Sequence, residues 1–253
     1  MKRWLALLLL CSSCMASAAP RIAIILDDFG YSLDNDSTAI ALPFAITCSV
    51  IPGSPNGVAM ARRAQAAGKE VMLHIPMATV SHRRLDPGGL HADITQPQLD
   101  TIVQQAIATL PEAVGVNNHM GSLLTSERQP MRWLMQELAE HDLFFIDSRT
   151  TSHSVAEAVA RAQGVPTRGR DIFLDDEQSL GYINGQFNQL LTIARKHGSA
   201  IAIGHPYPAT LDYLRQVLPL LKQAGIELVP VSALLPVATT RVANTKPDTA
   251  STN

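Results

Sequence analysis

Uninterrupted apolar runs recur along the chain and restrict its fold more than any other feature. IAIIL (22–26), VML (71–73), LFFI (143–146) and AIAIG (200–204) lack the polar alternation of a sheet wet on one face. The strand candidates are 22–26, 44–50, 70–74, 114–117, 143–147, 172–174, 200–204 and 226–229. Helical patterns lie between them. Leu99, Ile102, Val103, Ala106, Ile107 and Leu110 repeat at three and four residues, and Thr95 with Gln98 forms a capping box ahead of them. Met131, Leu134, Met135 and Leu138 make a second stripe, and Leu211, Leu214, Val217, Leu218 and Leu221 a third. Gly225 ends the last helix and Pro219 should kink it. Strand–helix alternation of this kind predicts an α/β chain: a single-domain distorted (β/α) barrel of about seven parallel strands. An open doubly wound sheet is the alternative, and both gather the carboxyl ends of the strands at one mouth.

Five polar sites fall at those carboxyl ends: Asp27-Asp28, His74, Asn117-Asn118-His119, Asp147 and His205. Carboxylates and imidazoles converging there have the composition of a metal-assisted hydrolase site. Adjacent buried carboxylates repel unless a cation intervenes. A divalent ion on one of Asp27 and Asp28 would leave the other free as a proton acceptor. The plainer reading of the pair is a turn or a helix cap. Asp147, in FIDSRT (145–150), either orients a histidine or holds its charge, or simply caps the helix that follows, although Ser154 with Glu157 already supplies a capping box there. Asp175-Asp176, after IFL (172–174), divides evenly between turn chemistry and a wall of the site. From His74 to Thr95 the chain shows no clear element, and a loop so long is often functional. His82, Arg83, Arg84 and His91 make it a candidate substrate-facing segment, or simply a solvated loop.

The rest of the chain narrows the class. Lys2 and Arg3, a short apolar core and Ala16-Ser17-Ala18 read as a secretory signal over 1–18, cleaved after Ala18. The apolar run is too short for a membrane span, so no stable membrane insertion is expected after cleavage. Cleavage leaves Cys48 as the one cysteine, inside FAITCSV (44–50), where it reads as a small buried hydrophobe. Loss of the two cations Lys2 and Arg3 takes the formal charge from −2 to −4, and no basic stripe points to nucleic acid. The folded domain is expected over 19–236, followed by a disordered polar tail at 237–253. No G-x-S-x-G elbow, dinucleotide fingerprint or P-loop is present.

ILDDFG (25–30), LHIPM (73–77), GVNNHMGS (115–122), FIDSRT (145–150) and IGHPYPATL (203–211) resemble, in order, the motifs of the divergent polysaccharide deacetylases. That family is distantly related to the carbohydrate esterase family 4 deacetylases, which fold as distorted (β/α) barrels. The resemblance runs from Arg21 to about Pro236. It implies Asp27 as general base, His205 as general acid, Asp147 as an orienting carboxylate, and Asp28 and His74 as metal ligands. The usual second histidine, four residues after the first, is replaced by Ala78. His119 is the chosen third ligand, with His82 and His91 as alternatives. Asn118, Ser148 and Arg149 are the substrate-binding candidates. The implied cofactor is a divalent metal ion, zinc first, and the implied partner a polysaccharide or peptidoglycan-type glycan met in the periplasm or outside the cell. The expected activity is N-deacetylation. A degenerate domain that binds glycan or an envelope protein without turnover is the rival.

Overall fold

A computed structural model describes residues 19–236. The expected signal segment at 1–18 and the polar tail at 237–253 lie outside the described residues. Nine strands form one parallel sheet: β1 (Arg21–Phe29), β2 (Thr47–Val50), β3 (Glu70–Met77), β4 (Gly115–Met120), β5 (Phe144–Asp147), β6 (Thr167–Gly169), β7 (Ile172–Phe173), β8 (Ser199–Gly204) and β9 (Glu227–Leu228). Their order is β6-β5-β4-β3-β2-β1-β8-β7, with β9 beside the start of β1. The expected barrel is therefore present as a curled sheet whose edge strands, β6 and β7, do not pair. Arg170 and Asp171 bridge them. Arg170 N donates to Asp147 O and Asp171 N to Ile201 O, both at 2.9 Å. The Arg170 guanidinium lies 3.6 Å from the Phe173 ring centroid.

Eight of the nine strands fall on the sequence candidates, the two-residue β7 and β9 among them, and the ninth, β6, does not. TRG, the sequence of β6, carries no apolar run to announce it.

Both faces of the sheet are covered, which is why its strands read as continuous apolar runs. In β1, Ile22, Ile24 and Leu26 pack in the larger cluster beneath the helices. Ala23 and Ile25 join Met72, Phe144, Ile146, Ile201 and Ile203 in a smaller cluster inside the curl. Side chains alternate along a strand, so this division decides which later residues face inward.

The seven helices are α1 (Leu33–Ile40), α2 (Gly57–Ala66), α3 (Gln96–Thr109), α4 (Arg128–Glu140), α5 (Ala156–Ala162), α6 (Leu180–His197) and α7 (Pro208–Val217). The Thr95–Gln98 capping box opens α3, with Thr95 N donating to Gln98 Oε1 at 2.9 Å. Pro219 ends α7 rather than bending it, and a 3-10 turn follows at Leu218–Leu220. The apolar period of α6 (buried Ile183, Phe187, Leu190 and Ala194) was readable but is diluted by polar neighbours.

Loop 78–95 is tied down rather than loose. Ala78 N donates to Leu90 O (2.9 Å) and Leu90 N to Pro76 O (2.8 Å), extending the end of β3. No described helix is long and apolar enough to cross a membrane.

Candidate active site

Strand parity carries the inward set to the mouth. Asp27 follows Ala23 and Ile25, His74 follows Met72, and His205 follows Ile201 and Ile203. Asn117 and His119 lie opposite Val116 on β4, and Ser49 lies opposite Cys48 and Val50 on β2. Asp28 should point the other way. A bulge in β1 prevents this: Leu26 pairs with Cys48 and Phe29 with Val50, so β1 carries one extra residue. Asp28 takes φ +61, in the left-handed region, and its carboxylate joins the site beside that of Asp27. Asp36, fully buried in α1, steadies the turn by accepting the Gly30 N–H at 2.8 Å. Gly30 has φ +113, and a Cβ there would lie 1.8 Å from Ser54 Oγ.

Three donor atoms converge. Asp28 Oδ1 lies 2.9 Å from His119 Nδ1 and 3.2 Å from His74 Nε2, and the two nitrogens are 3.2 Å apart. Two donors about 2.0–2.1 Å from a tetrahedral ion stand about 3.3 Å apart, so this triangle suits one face of a divalent centre. Asp28 Oδ1 is buried and makes no hydrogen bond. A buried carboxylate oxygen left bare opposite two imidazole nitrogens is costly without a cation. The chosen set of Asp28, His74 and His119 thus meets in space. Hard carboxylate oxygen and imidazole nitrogen are donors suited to zinc and related divalent ions.

The tautomer of His74 follows from its neighbour. Asn117 Nδ2 donates to Asp27 Oδ1 at 2.9 Å, so Asn117 Oδ1 is the accepting end. It accepts from Ser49 Oγ (2.6 Å) and lies 2.7 Å from His74 Nδ1. Nδ1 therefore carries the proton and Nε2 presents its lone pair to the triangle. Burial pushes the Asp27 carboxyl above its ordinary value, against the pull of His74, His205 and Asn117. Burial acts the same way on Asp28, but the His119 and His74 rings outweigh it and hold that carboxyl far below the usual range. Burial opposes a charge on His74, and Asp27 and Asp28 reverse the balance to raise it.

His205 stands across the site, with Nε2 3.8 Å from Asp28 Oδ2. Asp175 grips it, lying 2.9 Å from Nδ1 and accepting the His205 N–H at 2.7 Å. Thr210 Oγ1 donates to the same carboxylate at 2.7 Å. Burial disfavours the imidazolium, yet Asp175 with Asp27 and Asp28 pushes its pKa up to about 9.

Other sequence candidates lie elsewhere. Asp147 shares the parity of Phe145, which faces the helices, so it points out of the curl. Its Oδ1 accepts from Arg149 N (2.8 Å) and its Oδ2 from Ser154 Oγ (2.7 Å) and Glu157 N (3.4 Å). Asp147 thus secures the start of α5 and orients no histidine; that part belongs to Asp175. The expected Ser154–Glu157 capping box is absent, because Ser154 serves Asp147 and the Glu157 carboxylate pairs with Arg149 and Arg161. Arg149 lines a cleft of about 800 Å³ with these residues, apart from the triangle. Asn118 is buried and spends its amide on Ser148 N (2.9 Å) and Met120 O (2.7 Å). Ser148 is the exception: it shares the inward parity of Phe144 and Ile146, and its buried hydroxyl makes no hydrogen bond. His82 and His91 sit together at a separate small cavity. Asn117, Ser49 and Asp175 are the residues that sequence reasoning left unassigned. Parity along β4, β2 and β7 was the available signal.

A family model described as divergent polysaccharide deacetylase matches residues 24–235. YibQ of Escherichia coli K12 is 41% identical over 86% of this chain and 68% of its own length. The solved structure of ATU2773 from Agrobacterium tumefaciens C58 superposes with a TM-score of 0.83 at 24% identity, over 87% of this chain and 90% of that one. Two more distant structures share the fold. The catalytic domain of a peptidoglycan N-acetylglucosamine deacetylase from Eubacterium rectale gives 0.55 at 13% identity, over 90% and 95% of the two chains. A carbohydrate esterase family 4 pseudoenzyme from Bacillus anthracis gives 0.53 at 11%, over 85% and 65%.

Proposed function

The chain belongs to the divergent polysaccharide deacetylase family, and from that premise we propose that it is an exported, metal-dependent hydrolase removing N-acetyl groups from a polysaccharide or peptidoglycan-type glycan. One observation carries the reading: the Asp28–His74–His119 triangle has a buried carboxylate, Asp27, on one side and an Asp175-backed imidazole, His205, on another. Export rests on the signal pattern of residues 1–18, and the catalytic unit is residues 19–236.

A divalent ion held by Asp28, His74 and His119, zinc being the first candidate, would polarise the acetamide carbonyl and lower the pKa of water towards about 7. Asp27 supplies the base. Its Oδ2 is 3.5 Å from His74 Nε2, at the edge of the triangle, and burial raises its pKa, which makes it a stronger proton acceptor than an ordinary carboxylate. Asn117 holds the other oxygen and keeps the carboxylate from rotating. His205 supplies the acid. Asp175 secures Nδ1, so Nε2–H faces the site to protonate the departing amine. The Tyr207 ring stacks on that imidazole, with centroids 5.1 Å apart.

The test uses zinc-loaded protein with N-acetylated glycan oligomers and measures released acetate. Asp28→Asn and His74→Ala should lose the ion, whereas Asp27→Asn and His205→Ala should retain it and lose about 10²–10⁴ in turnover. Undiminished metal content in the first pair would reject those ligands. Ala78, standing where the usual second histidine would be, favours a second reading, a domain that binds glycan without turnover. Glycan binding with no Asp27-dependent acetate release would establish that alternative.

A further inference from the structure

Each imidazole at the mouth has a partner behind it, except that the partner of His119 comes from a loop. Asn117 backs His74 and Asp175 backs His205, both from neighbouring strand ends. With His119 Nδ1 committed to the triangle, its remaining ring nitrogen faces Asp86: Nε2 lies 3.7 Å from Asp86 Oδ2. Asp86 belongs to loop 78–95. It opens the turn Asp86-Pro87-Gly88-Gly89, closed by Gly89 N donating to Asp86 O at 3.1 Å, with Gly88 at φ +79. Proline second and a positive-φ glycine third make a type II turn, a stiff mount for its first residue. The turn is also seated. A Cβ on Gly53 would come within 2.4 Å of Pro87 O, so backbone meets backbone there. Across the mouth, the Tyr31 hydroxyl donates to Asp86 Oδ1. The Asp86 carboxylate is thus anchored by a tyrosine from the β1–α1 turn and faces a histidine from β4.

Building on the metal-site reading above, we propose that Asp86 is the positioning residue of the ligand His119, so that loop 78–95 is a working part of the metal centre. A carboxylate behind a metal-ligating imidazole fixes the ring's tautomer and orientation and strengthens the lone pair it presents. Asp86 fills for His119 the place that Asn117 fills for His74. Tyr31 acts one step further out by holding Asp86.

Zinc and cobalt titrations of the full domain test this. Asp86→Ala should weaken zinc binding about 10- to 100-fold and alter the visible spectrum of the cobalt form, while the metal-free protein melts near the wild-type temperature. Asp86→Glu should restore part of the affinity. Tyr31→Phe should weaken it less, and the double variant should be no worse than Asp86→Ala, since Tyr31 works through Asp86. His119→Ala is the internal reference. If His119→Ala loses zinc while Asp86→Ala binds it like wild type with an unchanged cobalt spectrum, the role of Asp86 is overturned and the ligand set stands. If His119→Ala binds zinc like wild type, the ligand set itself fails, and this inference with it.

Discussion

At the N-terminal end of the strands, Val229, Val231 and Leu234 fold under the curl and close it with apolar side chains. The backbone there is satisfied: Val231 N donates to Thr47 Oγ1 (3.2 Å) and Ser232 N to Glu70 Oε1 (3.3 Å). At the C-terminal end, the same inward positions carry Asp27, His74, Asn117 and His205. Asp28 sits in left-handed backbone and sets a buried oxygen against two imidazole nitrogens. The two ends share strands and parity and differ only in what occupies the last inward position. Closure of one end by packing supplies stability that lets the other hold strained, desolvated charge. Functional sites are where such local departures from good packing collect.

Three substitutions would break or sharpen that contrast. Leu234→Ala at the closed end should cost about 2–5 kcal/mol in denaturant unfolding and leave zinc affinity unchanged at temperatures where the protein is folded. Equal loss of stability and affinity would mean the ends are not separable. Asp175→Asn at the open end should spare most of the stability and move a pH profile instead. His205 must be protonated to act as an acid, and its raised pKa keeps it charged until pH climbs through about 9. Without the carboxylate, the alkaline limb of kcat/KM should fall back towards the ordinary 6.5. An unmoved limb would separate Asp175 from the acid. Asp147→Ala should show the smallest effect on chemistry, with acetate release held within about threefold and about 1–3 kcal/mol of stability lost as the amides of Arg149 and Glu157 go unpaired. A collapse of turnover in a stably folded Asp147→Ala protein would return Asp147 to the site.

Residues at strand ends were legible because the strands were. IAIIL, VML and AIAIG leave little doubt where the chain is buried, and the next residue must emerge at the mouth. Asp147 shows where that reasoning stops short. It ends a strand as His74 and His205 do, but one step of parity sends it outward to α5. The alternation of LFFID contained that information, though a run apolar on both faces conceals which face is which. Asn117 was named at its strand end without a role in the chemistry, because a buried amide declares its purpose only through its partners, and those come from β1, β2 and β3.

The amino-acid sequence by itself determined the α/β alternation and the placing of Asp27, His74, His119 and His205 at strand ends, because apolar period is a local property of the chain, and the order of its motifs carried the family. Tertiary structure alone decided which face each end presents, that a bulge turns Asp28 back beside Asp27, and that Asn117, Asp175 and Asp86 stand behind the three imidazoles. Those outcomes depend on register and on contacts between segments tens of residues apart, and no local pattern encodes them.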